Sequence, residues 1–254
     1  MEITKEKIKY LEILNSGIKR CSRCSLSIGK ANTIIGEGNP DARLFFIAQA
    51  PGETEDKEGR MFKGPTGKVI DKLFEEINLK RDEVYLTNLI KCRLPKNRKP
   101  SQNEIEECSK YLEQEIEIVN PDFLIPLGYQ AAKYILTRYC NENFLSTDFV
   151  GKLVYCNGRK IYPLRHPSAA LYNPSLMEFM SLDFQKISVF KENCKWFPVC
   201  PMKRFWESGR LDRKWIESYC KGDWMSCIRY RLEEKGQNHP DNMLPDGTIS
   251  YELQ

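Results

Sequence analysis

The sequence predicts an α/β fold, a three-layer αβα sandwich with a mainly parallel central sheet, followed by a small, mostly helical C-terminal module that binds metal. The chain has 254 residues, more than the about 100–200 residues of one ordinary domain. Short apolar runs alternate with segments of helical periodicity until about residue 190. From Lys191 onward cysteines and tryptophans become dense and the strand pattern ends. We therefore predict one domain over 1–190 and the module over 191–254.

The first half of the sandwich begins with an amphipathic helix predicted over 4–20, where apolar residues recur every three or four positions. The nearly continuous apolar run 43–48 is typical of a strand that is buried on both faces. Helical spacing then returns over 66–79, with Thr66 as a possible N-terminal cap.

The second half continues the alternation of strands and helices. We predict a strand over 84–90, a helix over 102–119, a strand over 123–127, a turn that opens a helix over 128–136, and a hairpin from 152–156 and 160–164. In sheets of this kind, binding sites collect at the carboxyl ends of the parallel strands. We therefore expect functional residues in the loops that follow Ile47, Ile90, Leu127 and Leu164.

Charge and hydropathy narrow the class of protein. The net charge of +4 is only mildly basic, so nucleic acid is one option among several. No segment has the pattern of a signal peptide, and no apolar run approaches the about 20 residues of a membrane span. We expect a cytoplasmic monomer that does not contact membranes.

The ten cysteines also indicate what class of protein this is. Intracellular thiols are kept reduced, so this number predicts metal ligands rather than a disulfide framework. Cys140 and Cys156 have no partner pattern and are interpreted as ordinary core or surface residues.

A basic loop follows the second predicted strand. Residues 91–100 contain five positive charges, two prolines and no acid, which suits a phosphate backbone. Lys91, Arg93, Lys96 and Arg98 are the residues that we predict to contact it. The alternative is a loop that is merely solvated.

Three further motifs lie where the fold predicts a site. A Pro-Gly turn at Pro51 follows the first buried strand, and such a turn exposes backbone N–H groups to a ligand. Taken alone, this segment could equally be an acidic surface loop. Asn88 lies near the end of the second strand, and the run His166-Pro-Ser-Ala-Ala-Leu171 follows the last one.

The order of these motifs resembles that of the family 4 uracil-DNA glycosylases. The resemblance covers about residues 4–185 and includes Ala-Pro-Gly-Glu at 50–53, Arg-Met-Phe-Lys-Gly at 60–64, Thr-Asn at 87–88, Lys-Cys-Arg at 91–93 and the His166 motif. It implies hydrolysis of the N-glycosidic bond of a flipped-out deoxyuridine in base excision repair. Uracil-containing DNA is then the partner, and a nucleoid-associated location is expected.

The resemblance also implies roles for particular residues. His166 and the backbone amides near Gln49 and Ala50 would stabilise the leaving pyrimidine anion, and Glu55 would assist the sugar cation or the water. Phe62 would stack on uracil, and the amide of Asn88 would distinguish uracil from cytosine. Pro51 would line the same pocket. Ser168 and Leu171 would enter the duplex.

One position departs from the family pattern. Relatives usually carry Gly-Glu-Ala-Pro-Gly where this chain has Ala48-Gln49-Ala50-Pro51-Gly52, so Gln49 cannot act as a carboxylate base. Either Glu55 supplies the acid, or Gln49 contributes through its backbone. Two other functions stay open: a uracil-DNA binding or damage-sensing protein without turnover, and an iron–sulfur enzyme that acts on another modified base.

The cysteines form two sets of four. Cys21, Cys24, Cys92 and Cys108 could hold zinc or a cubane cluster, and the resemblance favours [4Fe–4S]. Cys194, Cys200, Cys220 and Cys227 lie in the module and predict a second [4Fe–4S] cluster or zinc, with buried free thiols as the alternative. His239 is a conceivable substitute ligand. The basic and aromatic residues of the module would extend the DNA contact or bind a protein.

Overall fold

The computed structural model describes residues 2–140, 149–190 and 192–253. Within them a six-stranded sheet has the order β1-β3-β2-β4-β6-β5. The strands are β1 (Glu37–Gly38), β2 (Leu44–Ala48), β3 (Tyr85–Asn88), β4 (Phe123–Pro126), β5 (Val154–Cys156) and β6 (Arg159–Ile161). The four central strands are parallel, and the outer strands β1 and β5 are antiparallel to their neighbours.

Helices cover both faces of the sheet. The helices of the sandwich are α1 (Glu2–Lys19), α2 (Glu53–Glu58), α3 (Pro65–Glu76), α4 (Gln102–Val119), α5 (Tyr129–Cys140), α6 (Ala169–Tyr172) and α7 (Leu176–Val189). None of the helices in the described ranges has the length and apolar character needed to cross a membrane.

The alternation of side chains along β2 creates the two cores. Phe46 packs against Phe74 of α3 and Phe184 of α7 on one face. Its neighbours Phe45 and Ile47 join the opposite core with residues of α4 and α5. Because successive side chains of a strand point to opposite faces, a fully apolar strand needs a helical layer on each side. The predicted three-layer αβα sandwich is confirmed.

Most predicted elements agree with the structure to within a few residues, but β1, α6 and α7 were not predicted, and two further details differ. Helix α4 has the predicted bounds, and its cap Ser101 accepts the backbone N–H of Glu104. The cap predicted at Thr66 is wrong, because Gly64 is the N-cap residue and Pro65 starts the helix. Helix α2 was not predicted, since its six residues are all polar and show no apolar periodicity.

The pairing of Cys140 with Cys156 corrects the interpretation of these two residues as ordinary thiols. They form a disulfide with their Cα atoms 5.3 Å apart, which joins the end of α5 to β5. A sequence separation of 16 carries no signal that two cysteines will meet, because their distance is set by the packing of α5 beside the hairpin.

Residues 192–253 contain several short helices. These are α8 (Pro201–Glu207), α9 (Arg213–Trp215), the π-helical segment Ile216–Cys220 and α10 (Ile228–Glu234). They surround a small apolar cluster of their own that includes Met202, Phe205 and Ile216. The division of the chain into two domains after residue 190 stays a prediction.

Candidate active site

A cleft of about 590 Å³ opens at the carboxyl ends of the parallel strands. It brings together residues from the segments that follow β2, β3, β4 and β6, as the fold class predicts. The predicted site residues that line it are Gln49, Ala50, Pro51, Glu55, Phe62, Asn88, His166 and Ser168.

Several residues of the cleft were not predicted from the sequence. They are Met61, Thr66, Leu94, Asn97, Lys99, Gly128, Tyr129, Gln130 and Tyr172. A signal existed for Gly128, Tyr129 and Gln130, because they follow Leu127 directly and this loop was expected to carry functional residues. Tyr172 had no such signal, and its side chain is 88% exposed at the end of α6.

His166 is held in one orientation by its own loop. Its Nδ1 atom lies 2.8 Å from the Ser168 hydroxyl and accepts the Ser168 backbone N–H at 3.3 Å. Burial lowers the pKa of His166 to about 4, although the charge of Glu55 acts in the opposite direction. The imidazole is therefore neutral near pH 7, and since Nδ1 accepts the amide proton, Nε2 carries the ring proton.

Gly128 lies directly behind this histidine. Its φ of +81° is accessible to glycine at little cost, and a Cβ atom there would lie 3.0 Å from Cβ of His166. The turn after β4 thus leaves room for the imidazole at the wall of the cleft.

Glu55 joins α2 to the segment that carries Phe62. Its Oε1 atom accepts the backbone N–H of Gly64 at 2.8 Å, and the residue is buried. Its Oε2 atom lies beside Gly52, where a Cβ would be 2.6 Å away. One carboxylate oxygen therefore fixes the loop, while the other lies next to the Pro-Gly turn.

Asn88 and Phe62 are held on the same side of the cleft. Asn88 is 2% exposed, and its Nδ2 donates to the sulfur of Met61 at 2.9 Å. Phe62 has a φ of +50°, and its carbonyl accepts a bond from Arg81 Nη2 at 2.9 Å. Arg81 is in turn paired with Asp71 at 2.6 Å. These contacts place an aromatic ring and an amide in one pocket.

Replacement of Gly67 by alanine should disturb this arrangement strongly. A Cβ atom at Gly67 would lie 1.8 Å from the carbonyl oxygen of Phe62, so the backbone of Phe62 must move. A displacement of about 1 Å in a positioning residue can cost up to about 10²-fold in rate. We expect kcat/KM of Gly67→Ala, in the reaction that the motif resemblance implies, to fall by about 10- to 10²-fold.

Gly17→Ala is the matched control, because no atom of a neighbouring residue lies within 4 Å of its added Cβ. Steady-state kinetics of that reaction would measure both variants, with circular dichroism to verify folding. Equal kcat/KM values for Gly67→Ala and the wild type would contradict the role of this close approach.

The structure corrects one of the predicted DNA contacts. Lys91 is 1% exposed, and its Nζ lies 2.6 Å from Oε2 of Glu115 and 2.5 Å from the Thr87 hydroxyl. A phosphate cannot reach it, so the prediction for Lys91 is wrong. A run of charges in the sequence does not reveal that one of them has a buried partner 24 positions away.

The other predicted DNA contacts stay predictions. Lys96 is exposed, whereas Arg93 pairs with Glu53 at 3.1 Å and Arg98 with Glu104 at 2.6 Å. Leu171 is 45% exposed on α6, next to Tyr172 at the cleft. All of these side chains lie on segments that border the cleft.

The first cysteine set surrounds a small cavity behind the basic loop. All four sulfurs are free thiols, Cys92 and Cys108 are buried, and Cys21 and Cys24 are half-buried. The backbone N–H of Lys91 donates to the sulfur of Cys108 at 3.1 Å. Within the described ranges, no three His, Cys, Asp or Glu side chains are already arranged to hold a single metal ion. The donor set nevertheless fits a thiolate-ligated group, because four cysteine side chains line one small cavity and four thiolates are the usual ligands of an iron–sulfur cluster.

Comparison with known proteins defines the class. A family model of the uracil DNA glycosylase superfamily matches residues 35–188. A type-4 uracil-DNA glycosylase of Sulfurisphaera tokodaii is 42% identical over 183 residues, which cover 70% of this chain and 83% of that protein. A type-4 enzyme of Thermotoga maritima is 35% identical over 190 residues, 74% of this chain and 96% of that protein.

A more distant relative is a type-5 uracil-DNA glycosylase of Pyrobaculum aerophilum, 30% identical over 52% of this chain and 63% of that protein. The chain belongs to the uracil-DNA glycosylase superfamily and, within it, to the type-4 family. The resemblance found in the sequence motifs is thereby confirmed.

Proposed function

We propose that this protein is a monofunctional uracil-DNA glycosylase that hydrolyses the N-glycosidic bond of a flipped-out deoxyuridine in base excision repair. The observation that carries the proposal is the single cleft in which His166, Asn88 and Phe62 meet at the carboxyl ends of parallel strands. Its residues match the chemistry that removal of a pyrimidine requires, and the relatives carry the name of that activity.

The departing base takes the electron pair of the broken bond and becomes an anion. A neutral His166 can donate its Nε2 proton in a hydrogen bond to that anion, since Nδ1 is occupied by Ser168. A preorganised donor in a site that excludes water stabilises developing charge without reorganisation. Water then attacks the sugar carbon, and no lysine nucleophile is needed.

Glu55 would act on the sugar, which becomes positively charged as the base departs. Its charge acts on His166, and it lines the same cleft. A carboxylate in that position can stabilise the sugar cation or orient the water. Glu55 thus offers the acid that Gln49, which lines the same cleft, cannot supply.

Selectivity for uracil follows from the amide of Asn88. An amide presents one acceptor and a donor group, which match N3–H and O4 of uracil. The amino group and unprotonated N3 of cytosine reverse this pattern, and unpaired buried groups are costly. Phe62 would stack on the ring in the same pocket.

The decisive experiment measures abasic sites in uracil-containing single- and double-stranded oligonucleotides, for the wild type and for Gln49→Glu. We expect the wild type to release uracil, and Gln49→Glu to release it at least as fast if a carboxylate at this position helps the water. No abasic sites from the wild type, with retained affinity for uracil-containing DNA, would support instead the non-turnover binding protein.

Cys21, Cys24, Cys92 and Cys108 would hold a [4Fe–4S] cluster with a structural role. Four thiolates are the usual ligands of such a cluster, and the amide of Lys91 already donates to one of the sulfurs. Cys92 lies within the basic loop and Cys108 follows it in α4, so the cluster would fix this loop beside the cleft.

Anaerobically purified protein should contain iron and acid-labile sulfide in equal amounts, with the visible absorbance of an iron–sulfur cluster. Both should decrease in Cys92→Ser, while Cys156→Ser, which alters a cysteine outside both sets, should retain them. Zinc in place of iron at this site would contradict the cluster.

A further inference from the structure

Four more cysteines meet outside the segment that matches the superfamily model. Cys194, Cys200, Cys220 and Cys227 follow residue 188, where that match ends. All four are free thiols, three of them buried and Cys200 half-buried. They line one cavity of about 70 Å³.

Backbone contacts hold these cysteines together across the chain. The N–H of Cys194 donates to the carbonyl of Cys220 at 2.8 Å. Cys200 and Cys227 are the N-cap residues of α8 and α10. The N–H of Phe197 donates to the carbonyl of Cys194 at 2.9 Å. Cysteines from four separate segments therefore line one cavity, although within the described ranges no three His, Cys, Asp or Glu side chains are already arranged around a single metal ion.

We propose that Cys194, Cys200, Cys220 and Cys227 form a second metal centre, a four-thiolate site for a thiophilic metal, Zn²⁺ or a [4Fe–4S] cluster. Four cysteine thiolates complete the ligand set of either group. The site is distinct from the first cysteine set, because it lies beyond β6 and contains none of the same residues.

The structure separates this site from the two other uses of buried cysteines. Cys140 and Cys156 are joined in a disulfide, whereas these four remain unpaired although they line one cavity. Four thiols from well-separated positions need not converge if they only fill apolar space. His239 lines the same cavity, and its Nε2 lies 3.1 Å from Glu233.

The metal centre would stabilise the fold of residues 192–253. Their apolar cluster is small, and short segments that cannot bury enough apolar surface are usually stabilised by metal or disulfides. Binding of a metal by thiolates contributes directly to folding. The centre would thus hold the short helices α8 and α10 around the π-helical segment.

The same centre would fix the contact of these residues with the sandwich. Glu217 pairs with Lys160 of β6 at 2.9 Å, with both side chains nearly buried. Lys160 also donates to the carbonyl of Lys221 at 2.7 Å, one residue after the ligand Cys220. A ligand at Cys220 would therefore keep both partners of Lys160 in place.

The test measures zinc, iron and acid-labile sulfide per chain in the full-length protein after anaerobic purification. We expect the wild type to contain one centre more than the first cysteine set accounts for. The double variant Cys220→Ser/Cys227→Ser should lose either one zinc, or about four iron and four sulfide, and keep the rest. Cys140→Ser/Cys156→Ser is the matched control and should lose none.

A second variant keeps the test valid if the double variant does not fold. Cys92→Ser/Cys108→Ser removes ligands of the first set only, and it should retain one zinc or one cluster. Loss of zinc alone identifies zinc at the second site, and loss of iron with sulfide identifies a cluster. Metal content in the wild type that equals one centre, and that Cys92→Ser/Cys108→Ser abolishes, would overturn the proposal.

Discussion

His166→Ala should lower the single-turnover rate of uracil release by about 10²–10³-fold, the usual cost of removing one preorganised donor to a developing anion. The substitution removes the Nε2 proton that faces the cleft, and no other imidazole can replace it, because the chain has only two histidines. Rapid-quench measurements with saturating protein would isolate the chemical step from product release.

His239→Ala is the matched control for this variant. It removes the other histidine, which pairs with Glu233 away from the cleft, and the rate of uracil release should not change. A His166→Ala rate within about threefold of the wild type, well short of the expected 10²–10³-fold loss, would rule out the donor role of the imidazole.

The pH dependence of the chemical rate provides a second test of the role of His166. The pKa of His166 is lowered to about 4 by burial, so the ring is largely neutral from about pH 5 upward. The chemical rate should therefore show no step from this histidine between pH 5 and 8. A step centred near the ordinary histidine pKa of about 6.5, absent from His166→Ala, would contradict a neutral imidazole.

Lys91→Met should destabilise the folded protein by about 3–5 kcal/mol, the range found when one partner of a buried ion pair is removed. The side chains of Lys91 and Glu115 are 1% and 0% exposed, and they lie 2.6 Å apart. The substitution leaves the carboxylate of Glu115 buried with only the Thr87 hydroxyl and the Gly36 amide as donors. Denaturant unfolding of the DNA-free protein measures the loss.

The double variant Lys91→Met/Glu115→Leu should recover much of this stability, since it removes both charges. Lys57→Met is the matched control: its partner Glu53 and Lys57 itself are mostly exposed, and such pairs contribute little. If Lys91→Met has the same unfolding midpoint as Lys57→Met, the buried ion pair does not contribute to the stability of the folded protein.

Local patterns were sufficient to predict the layers of the fold. The run Leu44–Ala48 is apolar throughout because helices cover both faces of β2. The start of helix α4 could be predicted from Ser101 and Glu104, which form a capping box. The cleft could be predicted as well, because the carboxyl ends of parallel strands meet at one edge of a sheet.

Features that depend on partners far away in the sequence could not be predicted from such local patterns. The burial of Lys91 requires Glu115 on another element, and the pairing of Cys140 with Cys156 requires the packing of α5 beside β5. Helix α2 is short and polar, and it forms where Glu55 and Asp56 find backbone donors in other segments. In each case the deciding contact is absent from the local sequence.

The short outer strands of the sheet affect how the protein behaves in concentrated solution. An exposed edge strand presents unpaired backbone groups on which another chain can add a strand, a common route to aggregation. Here β1 has two residues and β5 has three, and β5 is anchored to α5 by Cys156. So little edge is offered that strand addition between molecules gains few hydrogen bonds, which favours solubility during storage and refolding.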